Sequence, residues 1–357
     1  MKLFSSYELG TIKLSNRIVM APMTRSRAID NIPNELMVKY YRQRADAGLV
    51  ITEGTAPSAN ALGYPRIPGI FTDAQIKGWK QVTDAVHERG GRIFLQLMHT
   101  GRISHPDNMA ADAVIIAPSA IQAAGEIYTD QSGLQPHPVP EEMTQTDIEQ
   151  TEQEFAQAAK NAIAAGFDGI EIHGANGYLI DQFVNPGSNQ RSDRYGGSIE
   201  NRCRFAIEVA QVISDAIGAE KTGIRLSPYG VYNDMTLFDE IDETYEYLAH
   251  EMAKLKLAYI HIVDHSSQGA PEVPDAIKSK IKEAFGGTII ASGGLTREKA
   301  EQILQSGKAE LTSFGTSFLS NPDLVYRLNQ DIELNAPDYK TFFTPGEEGY
   351  LDYPLAR

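Results

Sequence analysis

Three side chains of different hydrogen-bonding character stand within six residues: His173, Asn176 and Tyr178. An imidazole, an amide and a phenol can donate, accept and exchange protons in different combinations, so together they define a candidate site before they define a reaction. For His173 taken alone, a core histidine satisfied by its neighbours is the competing reading. The stretch that carries them, residues 168–202, reads as a short strand, a polar turn and a long ordered loop feeding a helix. Alternation puts Ile170 and Ile172 on one strand face and Glu171 and His173 on the other, so His173 closes the strand at its carboxyl end. In α/β barrels and open α/β sheets that end is where chemistry is placed.

The elements that must position these residues recur every thirty to forty-five residues along the chain. Apolar strands end at RIVMAPMTR, LVITEGT, RIFLQLMHTGR, TGIRLSP, AYIHIVD, GTIIASGG and ELTSFGT, and with residues 168–173 they make eight. Helical stretches separate them; Asn34 is a candidate cap for the first and glycines stop several others. Eight strand–helix units close most simply as a parallel (β/α)8 barrel, and 357 residues as one domain also favour a barrel. A doubly wound sheet is the alternative, but no two glycines stand two apart, so the G-x-G phosphate fingerprint is missing, as is a Walker A sequence. LFSSYEL and TIKLSN around Gly10 form a hairpin that could plug one barrel end. Residues 101–144 break the rhythm after the third strand and are expected to make an inserted hairpin or lid.

Other strand ends bear on cofactor binding. Ser292, Gly293 and Gly294 end strand seven, and Gly315, Thr316 and Ser317 end strand eight, the places where barrels often cradle phosphate. Ordinary turns explain either alone; the pair favours phosphate. Gln96 and Arg225 lie in strands expected to be buried. An unpaired amide there costs about 1–3 kcal/mol, and a guanidinium needs an anionic or strongly accepting partner. An electron-rich flavin edge would serve; a network with Glu171 or Glu53 is the structural alternative.

Composition narrows the partners. A net charge of −15 without a basic block argues against nucleic acid and anionic membranes. One cysteine, Cys203, excludes an intramolecular disulfide framework and a cysteine-rich metal centre; no metal site is expected. No run reaches the roughly 18 apolar residues of a membrane span, and MKLFSSYELG lacks the apolar core of a secretion signal, so a cytoplasmic protein is expected.

Taken together, APMTR at 21–25, GY at 63–64, QLMHTGRISH at 96–105, HGANGYLIDQF at 173–183, NQRSDRYGGSIENR at 189–202, GIRLSP at 223–228 and FGTSFLSNPDL at 314–324 resemble, in order, the motifs of the Old Yellow Enzyme family of FMN-dependent ene-reductases. The similarity is greatest to its N-ethylmaleimide reductase and oxophytodienoate reductase branch, and it covers essentially the whole chain. The resemblance implies non-covalently bound FMN, with NADPH or NADH entering the same pocket in ping-pong turnover. Enones, enals, maleimides or nitroalkenes would be the acceptors. It places Pro22, Met23, Thr24 and Gly54 along the flavin ring, Gln96 and Arg225 at its pyrimidine edge, and Gly293, Gly294, Gly315 and Thr316 at its phosphate. It makes His173 and Asn176 the pair that holds the substrate oxygen and Tyr178 the proton donor, with Tyr64, Met98 and Tyr350 around the substrate.

Two residues depart from the family pattern. Thr316 stands where most relatives carry arginine, which predicts weaker FMN retention. Met98 stands where many carry tryptophan, which predicts room for bulkier substrates. A flavin-binding redox sensor and a flavin-free barrel lyase or aldolase are the other functional classes. The first would not need His173, Asn176 and Tyr178; the second would want a strand-end lysine, and there is none. Monomer and homodimer both fit the sequence.

Overall fold

Strand and helix signals of period two and 3.6 are realised as a closed parallel barrel wrapped by helices. The computed structural model describes residues 1–356. A hairpin comes first, β1 (Tyr7–Leu9) and β2 (Ile12–Leu14), turning at Gly10 with φ +55°. The barrel strands are β3 (Ile18–Met20), β4 (Leu49–Ile51) and β5 (Ile93–Leu97), separated by α1 (Glu35–Gln43) and α2 (Asp73–His87). After β5 the excursion forms β6 (Ile116–Ala117), β7 (Glu126–Thr129), β8 (Gly133–Pro136) and β9 (Glu141–Glu142). Here β7 and β8 make an antiparallel hairpin, and β6 pairs with β9 in parallel.

The rhythm resumes with α3 (Gln145–Ala164), β10 (Gly169–Gly174), a short α4 (Leu179–Val184), α5 (Ile199–Ile217), β11 (Thr222–Leu226), α6 (Ile241–Leu255) and β12 (Tyr259–Ile262). It ends with α7 (Asp275–Phe285), β13 (Thr288–Ser292), α8 (Arg297–Gln305), β14 (Leu311–Phe314), α9 (Thr316–Ser320) and α10 (Leu324–Gln330). The strands close in the order β10-β11-β12-β13-β14-β3-β4-β5. The expected (β/α)8 barrel, its N-terminal hairpin and the insertion after the third strand are therefore all present. One expectation is corrected: α4 stands where only loop was anticipated. All six of its residues are buried, so it has no polar face to announce a helical period.

Local signals start the helices where polar caps satisfy first-turn N–H groups. Asn34 accepts from Leu36 and Met37 N–H, and Thr72 with Gln75 and Thr144 with Asp147 form reciprocal capping boxes. Inside the barrel, Leu9 and Leu14 of the hairpin pack with Val19, Leu49, Ile51, Phe94, Ile290 and Leu311, all essentially inaccessible to solvent. Each such side chain contributes about 1.5–3 kcal/mol by leaving water. This apolar plug seals the amino end of the barrel. Above it lies a polar layer: Gln96 Nε2 donates to Glu171 Oε1 at 2.8 Å, and His261 divides its ring nitrogens between Glu171 Oε2 (2.9 Å) and Ser313 Oγ (3.0 Å). No helix among the described residues is long and apolar enough to cross a membrane.

Candidate active site

Above that polar layer the carboxyl ends of the strands open into a cavity of about 1040 Å³. Its walls include Pro22, Met23 and Thr24 after β3, Asn176 and Tyr178 after β10, Arg225 of β11, Ser292, Gly293 and Gly294 at the end of β13, and Gly315 and Thr316 after β14. Tyr64 also lines it. The insertion contributes Glu126, Ile127 and Tyr128 of β7 and Leu134 of β8 to its lining.

The turn after β10 is held from several sides. Asn176 has φ +59° and Gly177 φ +74°, left-handed values that asparagine tolerates and glycine adopts freely. A Cβ on Gly177 would stand 2.6 Å from Tyr232 O. Asn176 N–H donates to Ser227 Oγ at 2.8 Å, and its carbonyl accepts from Asn233 Nδ2 at 2.7 Å. Gly177 N–H donates to the buried carboxyl of Asp181 at 2.8 Å, and Gln182 Nε2 donates to Gly177 O at 2.7 Å. Burial raises the Asp181 pKa to about 6.

These ties set the three side chains. The His173 ring meets the Tyr178 ring edge-on with centroids 4.8 Å apart. Burial first, then Arg225, His261 and His265, hold the His173 pKa well below its ordinary value, so the ring is neutral at pH 7 and carries one N–H donor. Its Nδ1 is buried without a partner. Tyr178 Oη donates to Tyr64 Oη at 3.2 Å. Burial raises the phenol pKa of Tyr178 against the opposing hydrogen bonds and Arg225, so the proton stays on at neutral pH. Asn176 Oδ1 lies 2.9 Å from Nε2 of His265, a cavity residue beyond β12.

Two features invite a ligand. Arg225 is buried in the cavity wall with Nε unpartnered, and a buried guanidinium N–H without an acceptor costs free energy. Two strands along the barrel, Gly293 (φ +137°) and Gly294 (φ +55°) bring backbone to the surface of the cavity. A Cβ on Gly293 would sit 2.6 Å from Asp264 O, and one on Gly294 2.5 Å from Ser267 Cβ. Backbone exposed this way, beside the hydroxyls of Ser292 and Thr316, suits an anion such as a phosphate. A group with a phosphate at one end and an electron-rich heteroaromatic edge at the other, as FMN has, matches both features.

Not every expected residue lines the cavity. Gln96 is engaged with Glu171, the structural alternative foreseen for it, and lies below. Gly54 and Met98 are buried against each other: a Cβ on Gly54 would fall 2.5 Å from Met98 Sδ. Met98 packs with Ala56, Ala61, Leu62 and Ile67 in a cluster against which Tyr64 and Tyr178 also pack. Tyr350 is also not among the residues that line the cavity. It stacks on Tyr40 at 4.1 Å beside the Arg25 and Arg27 guanidiniums and is fully buried, so it does not reach the mouth. Lys340, Phe342 and Phe343 line the cavity from that segment instead. His265 was missed, although it follows the sixth strand's carboxyl end, the same signal that singled out His173.

A family model described as "NADH:flavin oxidoreductase / NADH oxidase family" matches residues 2–335. A probable flavin mononucleotide-dependent alkene reductase of Leishmania infantum is 42% identical over 352 residues, covering 97% of this chain and 95% of that protein. The 12-oxophytodienoate reductase 7 of Oryza sativa subsp. japonica is 40% identical over 371 residues, 99% of this chain and 94% of that protein. Among solved structures, morphinone reductase superposes with a TM-score of 0.95 at 41% identity, covering 99% of this chain and 96% of that one. An old yellow enzyme homologue from Zymomonas mobilis gives 0.94 at 38% identity, over 99% of this chain and 100% of that one.

Proposed function

The chain belongs to the NADH:flavin oxidoreductase / NADH oxidase family, and on that premise we propose that the cavity is the active site of an FMN-dependent, NAD(P)H-driven ene-reductase. Its acceptors are small molecules whose C=C bond is activated by a carbonyl, imide or nitro group. The observation that carries this reading is Arg225 Nε, buried without a partner in a residue that lines the cavity, together with the glycine turn at Gly293 and Gly294 that brings backbone to the same cavity.

The phosphate of FMN would be held by Ser292, Gly293, Gly294, Gly315 and Thr316, and its ring by Pro22, Met23, Thr24 and Arg225, all of which line the cavity. Gln96 donates to Glu171, the carboxylate whose charge acts on that arginine. When bound there, reduced FMN would supply the hydride for the substrate Cβ. His173 and Asn176 hold the activating oxygen, on which negative charge builds as the hydride arrives. Two preorganised neutral donors act there as an oxyanion hole, and removal of one such donor costs about 2.7–4 kcal/mol in other enzymes. Tyr178 keeps its proton in the resting site and gives it to Cα; Tyr64, 3.2 Å away, keeps the phenol aimed. The reductant and the acceptor use the same cavity in turn.

Anaerobic visible spectroscopy tests this. The FMN-loaded protein is expected to bleach on addition of NADPH or NADH and to recover its absorbance on addition of 2-cyclohexenone. Bleaching without recovery would overturn the ene-reductase assignment, and failure to bind FMN would overturn the cofactor assignment.

A further inference from the structure

The Asn176 backbone is fixed without help from its side chain: its N–H is taken by Ser227, its carbonyl by Asn233, and its φ is +59°. What stays free is rotation of the amide, whose two ends have opposite chemistry. Only with the NH2 end toward the cavity can Asn176 donate to a substrate oxygen. The opposite end, Oδ1, lies 2.9 Å from Nε2 of His265. Tyr232 packs its ring on that imidazole, with centroids 4.5 Å apart, and fixes its plane. Burial, reinforced by Arg225 and opposed by Asp264, lowers the His265 pKa to about 4, so the ring is neutral and has a single N–H. With Oδ1 facing it, that hydrogen belongs on Nε2, and Nδ1 is the unprotonated atom.

From this geometry we propose that His265 is a positioning residue: it donates to Asn176 Oδ1, locks the amide with its NH2 group toward the cavity and thereby sets the affinity of the site for the substrate's activating oxygen. The proposal rests on the ene-reductase reading of the cavity. A donor on Oδ1 also polarises the amide, which strengthens the bond its NH2 group makes on the other side.

The test is a double-mutant cycle read on the acceptor half-reaction alone. FMN-loaded protein is reduced anaerobically with dithionite, and its reoxidation by 2-cyclohexenone is followed by stopped flow to separate the dissociation constant from the limiting rate. His265→Leu is expected to weaken enone binding about 10-fold, the size of one lost hydrogen bond. His265→Gln, which keeps an N–H donor, should stay within about threefold of the parent. In an Asn176→Ala background the same His265→Leu change should alter binding less than about twofold, since there is no amide left to orient. Equal losses in both backgrounds, no loss in the parent background, or a His265→Gln variant as weak as His265→Leu would each overturn the inference. If the parent's reduced flavin is not reoxidised by the enone at all, the ene-reductase reading fails and takes this inference with it. A parent that turns over while His265→Leu matches it sinks this inference alone.

Discussion

The two ends of the same eight strands are built on opposite terms. At the amino end, Leu9 and Leu14 of the hairpin close an apolar plug over Val19, Phe94 and Leu311, and burial is complete. At the carboxyl end, Arg225 Nε and His173 Nδ1 are buried without partners, and Asn176, Gly177, Gly293 and Gly294 hold left-handed backbone. Between them lies a polar layer, Gln96, Glu171, His261 and Ser313, joined by hydrogen bonds. One end contributes stability by filling space, and the other forgoes stability by leaving hydrogen-bonding capacity unspent. Strain and unspent capacity of this kind collect where a ligand will complete the structure.

Substitutions at the two ends should therefore separate activity from stability. The largest effect is expected from Tyr178→Phe, which removes the proton but not the ring. Enone reduction measured at saturating reductant should fall about 10²–10⁴-fold, with FMN binding unchanged. Leu14→Ala attacks the plug instead. It should cost about 2–5 kcal/mol in urea denaturation of the apoprotein and leave the FMN dissociation constant of the folded molecules as it was. If Leu14→Ala weakened FMN binding selectively, the division between the ends would be broken.

Acid sensitivity should also belong to the carboxyl end. His99 follows β5; its Nδ1 accepts from Gly101 N–H at 3.1 Å, its Nε2 is buried without a partner, and burial lowers its pKa to about 3. The folded form stays neutral while the unfolded chain takes up the proton. The stability this confers is complete above about pH 6.5 and is lost progressively as the pH falls toward 3. His99→Asn keeps an acceptor for Gly101 and cannot titrate. Between pH 6.5 and 5 the parent should lose about 2 kcal/mol that the variant does not, as seen in parallel urea titrations. The smallest effect is expected at the cradle. Thr316→Arg replaces a neutral bond of about 0.5–1.5 kcal/mol by a charge-assisted one of about 1.5–3, so FMN should dissociate about tenfold more slowly. No slowing would mean that the phosphate is not held at this turn.

Much of this was legible in the residues. Eight strand–helix units, the hairpin around Gly10 and the long insertion after the third strand follow from periodicity and from glycine and proline placement. The strand-end rule brought His173, Asn176, Tyr178, Arg225 and both glycine turns toward one place. Other features were hidden for physical reasons. Helix α4 is buried on every side and shows no amphipathic period. The family resemblance put Met98 and Tyr350 around the substrate, but what packs against each side chain is not written in a motif. Gly54 leaves a gap that Met98 fills, and Tyr40 offers Tyr350 a stacking partner in the core. His265 sits in a sequence, VDHSSQ, whose polar residues look like any turn until the barrel closes and sets it opposite Asn176.

The most direct test is a crystal structure of the FMN-loaded protein with cyclohexanone, an acceptor analogue that has no C=C bond to reduce. It should show the flavin across the strand ends, with its phosphate on the turns at Gly293–Gly294 and Gly315–Thr316, Arg225 Nε bonded to the ring, and the ketone oxygen held by His173 and Asn176. A flavin bound elsewhere, or one that leaves Arg225 Nε still without a partner, would contradict the claim that the unfilled atoms of the carboxyl end are the active site.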